Sequence, residues 1–216
     1  KTLFPYTTLF RSAGNFNATS TWSTTATGAA GASVPVAGDN AYSNNRNVTI
    51  TADATCTKVS NEAENGATAG GLFALNGGVI LTADIRAGST GAAAVVVAGY
   101  ASPLVSTING NIYGGTGTNS FGANTTGTGT LNINGNITGG SGATSQGLLV
   151  NGASTVNITG AVSSGSLGAG ISFGNFASTV SIVGSVTSVG GYGILYVTNF
   201  ATLSITGSVY GSNTTS

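Results

Sequence analysis

The chain has 216 residues, of which 40% are hydrophobic, 36 are glycine and only 3 are proline. This composition supports one elongated domain with a continuous core, and without a Gly-X-Y period it excludes collagen. Only 5% of the residues are charged and none of these lies beyond Arg86, so the clustered cations that nucleic acid or an anionic membrane surface requires are missing.

The chain begins with two segments that lie outside any repeat. Residues 1–12, KTLFPYTTLFRS, resemble translated sequencing-adapter read-through, so we interpret them as an artefactual segment and exclude them from the fold prediction. Residues 13–46 contain the only tryptophan, Trp22, ahead of a turn at Pro35–Asp39. This order resembles the beginnings of bacterial and phage surface β-helices. We predict an N-terminal capping segment in which Trp22 covers the end of the stack.

From residue 47 to residue 216, one pattern recurs every 23–31 residues. Each coil has a central aliphatic residue, with further apolar residues two positions before it in most coils and four positions after it. A small residue, usually glycine, lies two positions after the centre. The central residues are Ile50, Leu81, Ile108, Ile133, Ile158, Ile182 and Ile205. Spacing of two is typical of a β-strand with one buried face, and the small residue indicates a bend between two short strands.

A second apolar segment follows in several coils, for example at Leu148–Val150, so each coil offers three strands. Such coils bury their apolar faces only by stacking on one another. The predicted fold is all-β, a single-stranded parallel β-helix (β-solenoid) of about seven coils over residues 47–216. The pattern resembles the right-handed parallel β-helices of phage tail fibres and tailspikes, bacterial adhesins, autotransporter passengers and polysaccharide lyases.

The sequence contains no motif for a bound metal or cofactor. Two glycine-rich stretches, Gly114–Asn119 and Gly139–Thr144, are similar to a calcium-binding nonapeptide, but both lack its aspartate. Cys56 is the only cysteine, and we interpret it as a small buried apolar residue. The longest apolar stretch, residues 92–105, is interrupted by Gly and Pro, so we predict no membrane insertion.

The few charged residues of the first coils are the only candidates for acid–base chemistry. Asp53 and Asp84 are expected at equivalent positions of successive coils, with Lys58 and Arg86 nearby. A solvated charged patch is the favoured interpretation, because charges near a sheet end oppose edge-to-edge association. Ice binding requires a regular threonine array, and the outward position after the central residue does not provide one.

Asparagines and aromatic residues are expected at the corners and on the outer surface. Asn124, Asn151, Asn175 and Asn199 are predicted to stack at one corner, because asparagine tolerates left-handed backbone. Phe176 and Phe200 follow two of these asparagines, which favours packing at the corner and leaves contact with a ligand as the alternative. The candidate surface-contact residues are Phe176, Phe200, Tyr113 and Tyr210.

These features favour a non-enzymatic structural or adhesive fibre segment of a phage tail or bacterial surface protein. The expected location is extracellular, on a virion or cell surface, with a cell-surface glycan or receptor as partner and no nucleic acid. The alternative is a carbohydrate-active β-helix enzyme, a polysaccharide lyase or hydrolase, whose catalytic coil lies near the charged N-terminal region or outside this sequence.

The last coil, Leu203–Tyr210, has no proline or charged residue that blocks further stacking. We therefore expect the natural protein to continue beyond residue 216, or this coil to be covered by a partner. Another copy of the chain is one such partner, giving a homo-oligomer by end-to-end stacking.

Overall fold

The computed structural model describes residues 7–10, 14–23, 31, 33–43, 46–60, 73–87, 95–97, 101–118, 120–196 and 201–212. Within these residues the chain is all-β, apart from one 3-10 turn at Thr19–Thr21. The strands form a 15-stranded and an 8-stranded sheet, and nearly all neighbouring strands are parallel. The predicted all-β parallel β-solenoid is confirmed.

The N-terminal part contributes seven strands. These are β1 Thr7–Phe10, β2 Gly14–Asn15, β3 Trp22–Ser23, β4 Asn40–Tyr42, β5 Val48–Ile50, β6 Ala54–Ser60 and β7 Phe73–Leu75. Strand β1 pairs in parallel with β4 and antiparallel with β3, so part of residues 1–12 belongs to the sheet. Trp22 is fully buried, and its Nε1 donates a hydrogen bond of 2.6 Å to the carbonyl oxygen of Phe16.

The repeating part contributes the other sixteen strands. They are β8 Ile80–Arg86, β9 Val95–Val97, β10 Val105–Asn109, β11 Ile112–Tyr113, β12 Ala123–Thr125, β13 Thr130–Asn134, β14 Ile137–Thr138, β15 Leu148–Val150, β16 Thr155–Thr159, β17 Val162–Ser163, β18 Ile171–Phe173, β19 Thr179–Val183, β20 Val186–Thr187, β21 Ile194–Tyr196, β22 Thr202–Ile205 and β23 Val209–Tyr210.

These strands build three faces of the rod. The first face contains the beginning of β8 followed by β10, β13, β16, β19 and β22, and the second contains the end of β8 followed by β11, β14, β17, β20 and β23. The third face is the 8-stranded sheet, which runs from β2 to β21. Each turn therefore supplies one strand to every face, and each strand hydrogen-bonds to its counterpart in the next turn.

Successive turns stack in register from Leu81 onward, as the period predicts. Leu81 lies beside Ile108, and this column continues through Ile133, Ile158, Ile182 and Ile205. All of these except the half-buried Ile205 are enclosed in the core. The column is continuous because alternate side chains of every first-face strand point inward and meet the equivalent side chain of the next turn.

The assignment of Ile50 to this column is wrong. Ile50 pairs with Leu75 on the third face, and Ala54 is the residue that lies beside Leu81. The error arose because Val48-Thr49-Ile50 alternates apolar and polar residues as any half-buried strand does, whichever face it occupies. The solenoid has about five turns, fewer than the predicted seven.

The bend between the first and second faces requires glycine. At Gly160, φ is +152°, and a Cβ atom would lie 2.3 Å from the carbonyl oxygen of Gly135 in the preceding turn. At Gly135, a Cβ would lie 2.2 Å from the carbonyl oxygen of Gly110. The small residue of the repeat thus marks a corner where consecutive turns approach too closely for a side chain.

The predicted asparagine stack at the third-face corner is wrong. Asn124 lies in the middle of β12, opposite Leu149, whereas Asn151 follows β15 and Asn199 is outside the described residues. A polar ladder instead follows the glycine corner between the first and second faces. There the Oδ1 of Asn111 accepts from the backbone N–H of Asn136 at 3.0 Å. This ladder satisfies corner amides with the side chain of the preceding turn.

The next bond of this corner ladder gives a first prediction. The Oδ1 of Asn136 accepts from the backbone N–H of Ala161 at 2.8 Å. Asn136→Ala is expected to lower the free energy of unfolding by about 1 kcal/mol, because this hydrogen bond is lost. Asn136→Asp keeps the acceptor oxygen, as Asp84 does in an earlier turn, and is expected to cost about 0.5 kcal/mol or less. Urea denaturation followed by circular dichroism measures both, and equal losses would contradict the role assigned to the oxygen.

Candidate binding surface

Polar, charged and aromatic side chains meet at the N-terminal end of the second face. They occupy two columns of outward positions on β4, β6, β8 and β11. We call this surface the aromatic–cation patch, and it consists of Asn40, Tyr42, Lys58, Asp84, Arg86, Asn111 and Tyr113; Ser60 occupies a position in one of the columns but is fully buried. The strand register places Asn40, Lys58 and Asp84 in one column. It places Tyr42, Ser60, Arg86 and Tyr113 in the other.

Both cations of the patch are held against tyrosine rings. The Nζ of Lys58 donates a hydrogen bond of 2.9 Å to the hydroxyl of Tyr42 and lies 4.5 Å from the centroid of its ring. The guanidinium carbon of Arg86 lies 4.3 Å from the centroid of Tyr113. Cation–π attraction stabilises such contacts, more strongly where water is partly excluded. Lys58 is half-buried and Arg86 is exposed, so the two charges are positioned without being removed from solvent.

The single carboxylate of the patch is bonded to the next turn. The Oδ1 of Asp84 accepts from the backbone N–H of Asn111 at 2.9 Å and from its Nδ2 at 3.3 Å. Asp84 therefore begins the polar ladder that Asn111 and Asn136 continue. The patch as a whole combines two cations with one carboxylate and carries a net positive charge.

The predicted equivalence of Asp53 and Asp84 is wrong. Lys58, not Asp53, is the register partner of Asp84, because Ala54 rather than Ile50 aligns with Leu81 and Asp53 therefore precedes this part of the register. Asp53 lies near the other end of β8, where its Oδ1 accepts from the backbone N–H of Ile80 at 2.8 Å. Ile80 and Asp84 are four residues apart on an extended strand, or about 13 Å. Asp53 is thus bonded to the first residue of β8, whereas Asp84 lies near the last residue of that strand.

The four candidate contact residues do not form one cluster. Tyr113 belongs to the aromatic–cation patch. Tyr210 lies in the same column of the second face, 59% exposed, but Thr138, Ser163 and Thr187 separate the two tyrosines. Phe176 is 43% exposed in the turn that follows β18. Phe200 lies outside the described residues.

The outer surface of the first face carries mainly short polar side chains, interrupted by the exposed Ile80, Val105 and Val183. One column reads Thr130, Thr155, Thr179 and Thr202. This column lies three residues before the central aliphatic, whereas the position after the central aliphatic carries no such regular threonine column. In an adjacent column, the Nδ2 of Asn157 donates to the Oδ1 of Asn132 at 2.9 Å. The face is uncharged, and side-chain hydrogen bonds join its turns.

No group of three or more His, Cys, Asp and Glu residues in the described part of the chain could hold a metal ion. Over the same ranges, no helix has the length and apolar character needed to cross a membrane. The sequence matches no protein-family model and no curated protein, and no solved structure matches the fold.

The thiol of Cys56 is enclosed in the core, as predicted. Burial raises its pKa from 9.0 to about 12, with the negative charge of Asp39 as a second cause. The thiol therefore stays protonated in the folded protein at neutral pH, in the form that does not attack electrophiles.

A thiol reagent at pH 8 is accordingly expected to leave the folded protein unlabelled and to label Cys56 once urea unfolds the chain. The unfolded chain loses this proton near pH 9.0 while the folded chain holds it until about 12, so this group's contribution to stability falls as pH rises across that window. Mass spectrometry measures the labelling, and denaturation at several pH values with Cys56→Ala as control measures the trend. Fast labelling of folded protein at pH 8 would contradict the burial.

Proposed function

We propose that this chain is a non-enzymatic structural or adhesive fibre segment of a phage tail or bacterial surface protein, acting outside the cell at a virion or cell surface. The observation that carries the proposal is the uniform stack of turns beyond Arg86, in which no residue carries a charge. Its outward side chains are mainly threonine, asparagine and serine. They supply hydrogen-bonding groups and no acid or base for catalysis.

Two features of the solenoid support a mechanical role. The core is one continuous cluster that runs from Phe16 to Val186, so every turn buries its apolar side chains against its neighbours. Ladders such as Asn132–Asn157 add side-chain hydrogen bonds between turns on the outer surface. A stack held at each interface in this way transmits force along its axis, and additional turns lengthen it without changing its cross-section.

The alternative function is a carbohydrate-active enzyme whose catalytic coil lies near the charged N-terminal region or outside this sequence. The clustering of Lys58, Asp84 and Arg86 favours it, because such reactions use charged groups beside the sugar. The position of Asp53 counts against it. Glycosidases place two carboxyl groups about 5 to 9.5 Å apart. Here the carboxylate of Asp53 is bonded to the first residue of β8, whereas Asp84 lies near the other end of that strand.

Incubation with bacterial surface polysaccharides tests the proposal. The expected result is binding of at least one polysaccharide with no change in its chain length, measured by size-exclusion chromatography with light scattering. Shortening of the polysaccharide that disappears in Asp84→Ala would show the enzymatic alternative instead. Asp53→Ala serves as the matched variant, because it removes a carboxylate that lies away from the aromatic–cation patch.

A further inference from the structure

We infer that the aromatic–cation patch binds an acidic polysaccharide, one whose sugars carry carboxylate groups, with the glycan chain lying along the axis of the rod. This inference rests on the proposed adhesive function and names the ligand class. It concerns the outer surface of β4, β6, β8 and β11, where the register brings Lys58 and Arg86 onto one face.

Charge complementarity is the first argument. The patch joins Lys58 and Arg86 to a single carboxylate, Asp84, whose Oδ1 already accepts two hydrogen bonds from Asn111. Beyond Arg86 the rod contains no charged residue, so no other part of the repeating turns can attract an anion by charge. An arginine beside a lysine provides charge-assisted hydrogen bonds, and the planar guanidinium fits a carboxylate through two parallel N–H groups.

Preorganisation is the second argument. Lys58 is fixed by both a hydrogen bond and a ring contact with Tyr42, and Arg86 is fixed over Tyr113. Long cationic side chains normally lose rotamer freedom when a ligand immobilises them, and this loss weakens binding. Here the folded rod has already restricted both side chains. A carboxylate that reaches the patch therefore meets two cations already in place.

The shape and chemistry of the patch fit a sugar chain. Tyr42 and Tyr113 lie three strand spacings apart in one column, which is about 14 Å along the rod. Asn40 lies beside them in the adjoining column, and an amide side chain suits sugar hydroxyls. A surface of this length accommodates several consecutive sugars, with aromatic side chains near both ends to contact their apolar faces.

Peptides and nucleic acids fit this surface less well. A peptide that binds by strand addition needs a free sheet edge, but the patch lies on the face of the sheet, and the backbone groups of β6 and β8 bond their neighbouring strands. Nucleic acid requires several cations that follow successive phosphates. Lys58 and Arg86 are the only two in the patch. An extended glycan with spaced carboxylates has a charge density that matches the two cations of the patch.

Isothermal titration calorimetry tests the inference. The acidic glycan is oligogalacturonate, and the neutral comparison is a dextran oligosaccharide of similar length. The wild-type protein is expected to bind the acidic glycan and not the neutral one. Arg86→Gln and Lys58→Gln are each expected to weaken binding about tenfold or more, because each removes charge-assisted hydrogen bonds. Arg46→Gln is the matched control, since Arg46 is an exposed cation outside the two columns, and it is expected to bind like wild type. Circular dichroism confirms that each variant is folded.

Three results of these titrations would overturn the inference. These are absence of binding to the acidic glycan, equal binding of acidic and neutral glycans, and equal weakening by the Arg46 and Arg86 variants. Poly-glutamate bound as tightly as the glycan would likewise overturn it, by showing that charge alone is recognised. The length of the glycan after titration separates the two proposals. If the glycan stays intact but does not bind, only the inferred binding at the patch is refuted. If the glycan is shortened, the proposed non-enzymatic function is refuted.

Discussion

Replacing Ile133 with alanine is expected to lower the free energy of unfolding by about 2–5 kcal/mol, the usual cost of truncating a fully buried aliphatic side chain. Ile133 has no solvent exposure and lies between Ile108 and Ile158 in the central column. Its removal leaves a cavity between turns, and the close interstrand bonds on either side limit how far the neighbouring strands can relax. Urea denaturation followed by far-ultraviolet circular dichroism measures the loss.

The matched control for Ile133 is Thr159→Ala. Thr159 is exposed on the outer side of the next first-face strand, β16, so its truncation is expected to change stability by about 0.5 kcal/mol or less. A large difference between the two variants reflects the alternation of inward and outward side chains. Similar losses, or a loss below about 1 kcal/mol for Ile133→Ala, would mean that the central column is not the core of the rod.

Gly160→Ala is expected to be at least as damaging as many core truncations, with a loss of about 3 kcal/mol or more. Two costs combine at this corner. The backbone has a φ of +152°, which an L side chain rarely adopts, and the new Cβ would lie 2.3 Å from the carbonyl oxygen of Gly135. That oxygen belongs to the backbone of the preceding turn, so relief requires one turn to move away from the other and breaks the hydrogen bonds between them.

Gly38→Ala separates these two costs. Gly38 also has a positive φ, +98°, but a Cβ there would have no atom within 4 Å. Only the conformational cost remains, about 1–2 kcal/mol. Chemical denaturation of both variants should therefore rank Gly160→Ala as clearly more destabilised. An equal effect would show that the close approach of turns at the glycine corner contributes nothing.

The repeating part of the fold could be predicted from sequence because three independent signals coincide there. Between Leu81 and Ile205, the inward aliphatic residue, the small corner residue and the second-face aliphatic recur together, at the same distances from one another in each coil. The first coil could not be placed in the same way. Around Ile50, alternation shows only that a strand is half-buried, and the third-face strands alternate in the same manner. Strand β5 pairs with β7 on the third face, and no repeat spacing in the sequence predicts this pairing.

The aromatic–cation patch was only partly predictable for a related reason. Tyr113 could be identified because it follows an aliphatic residue in the repeat, whereas Tyr42 precedes the first coil and has no equivalent there. The pairing of Tyr42 with Ser60 depends on the path of the chain between β4 and β6. One signal was present in the sequence. Asn40-Ala41-Tyr42 and Lys58-Val59-Ser60 share the polar–apolar–polar order of strands that expose one face.

The stacking register underlies the core column, the corner ladder and the patch alike, and a disulfide cross-link tests it most directly. Asn132 and Asn157 are register partners whose side chains are 2.9 Å apart. In a Cys56→Ser background, Asn132→Cys combined with Asn157→Cys is expected to form an intramolecular disulfide, because the strands lie about 4.8 Å apart. Asn132→Cys combined with Thr159→Cys places the two Cα atoms about 8 Å apart, beyond disulfide reach. Mass spectrometry of the oxidised proteins should find the bond in the first pair alone, and a bond in the second pair without one in the first would contradict the register.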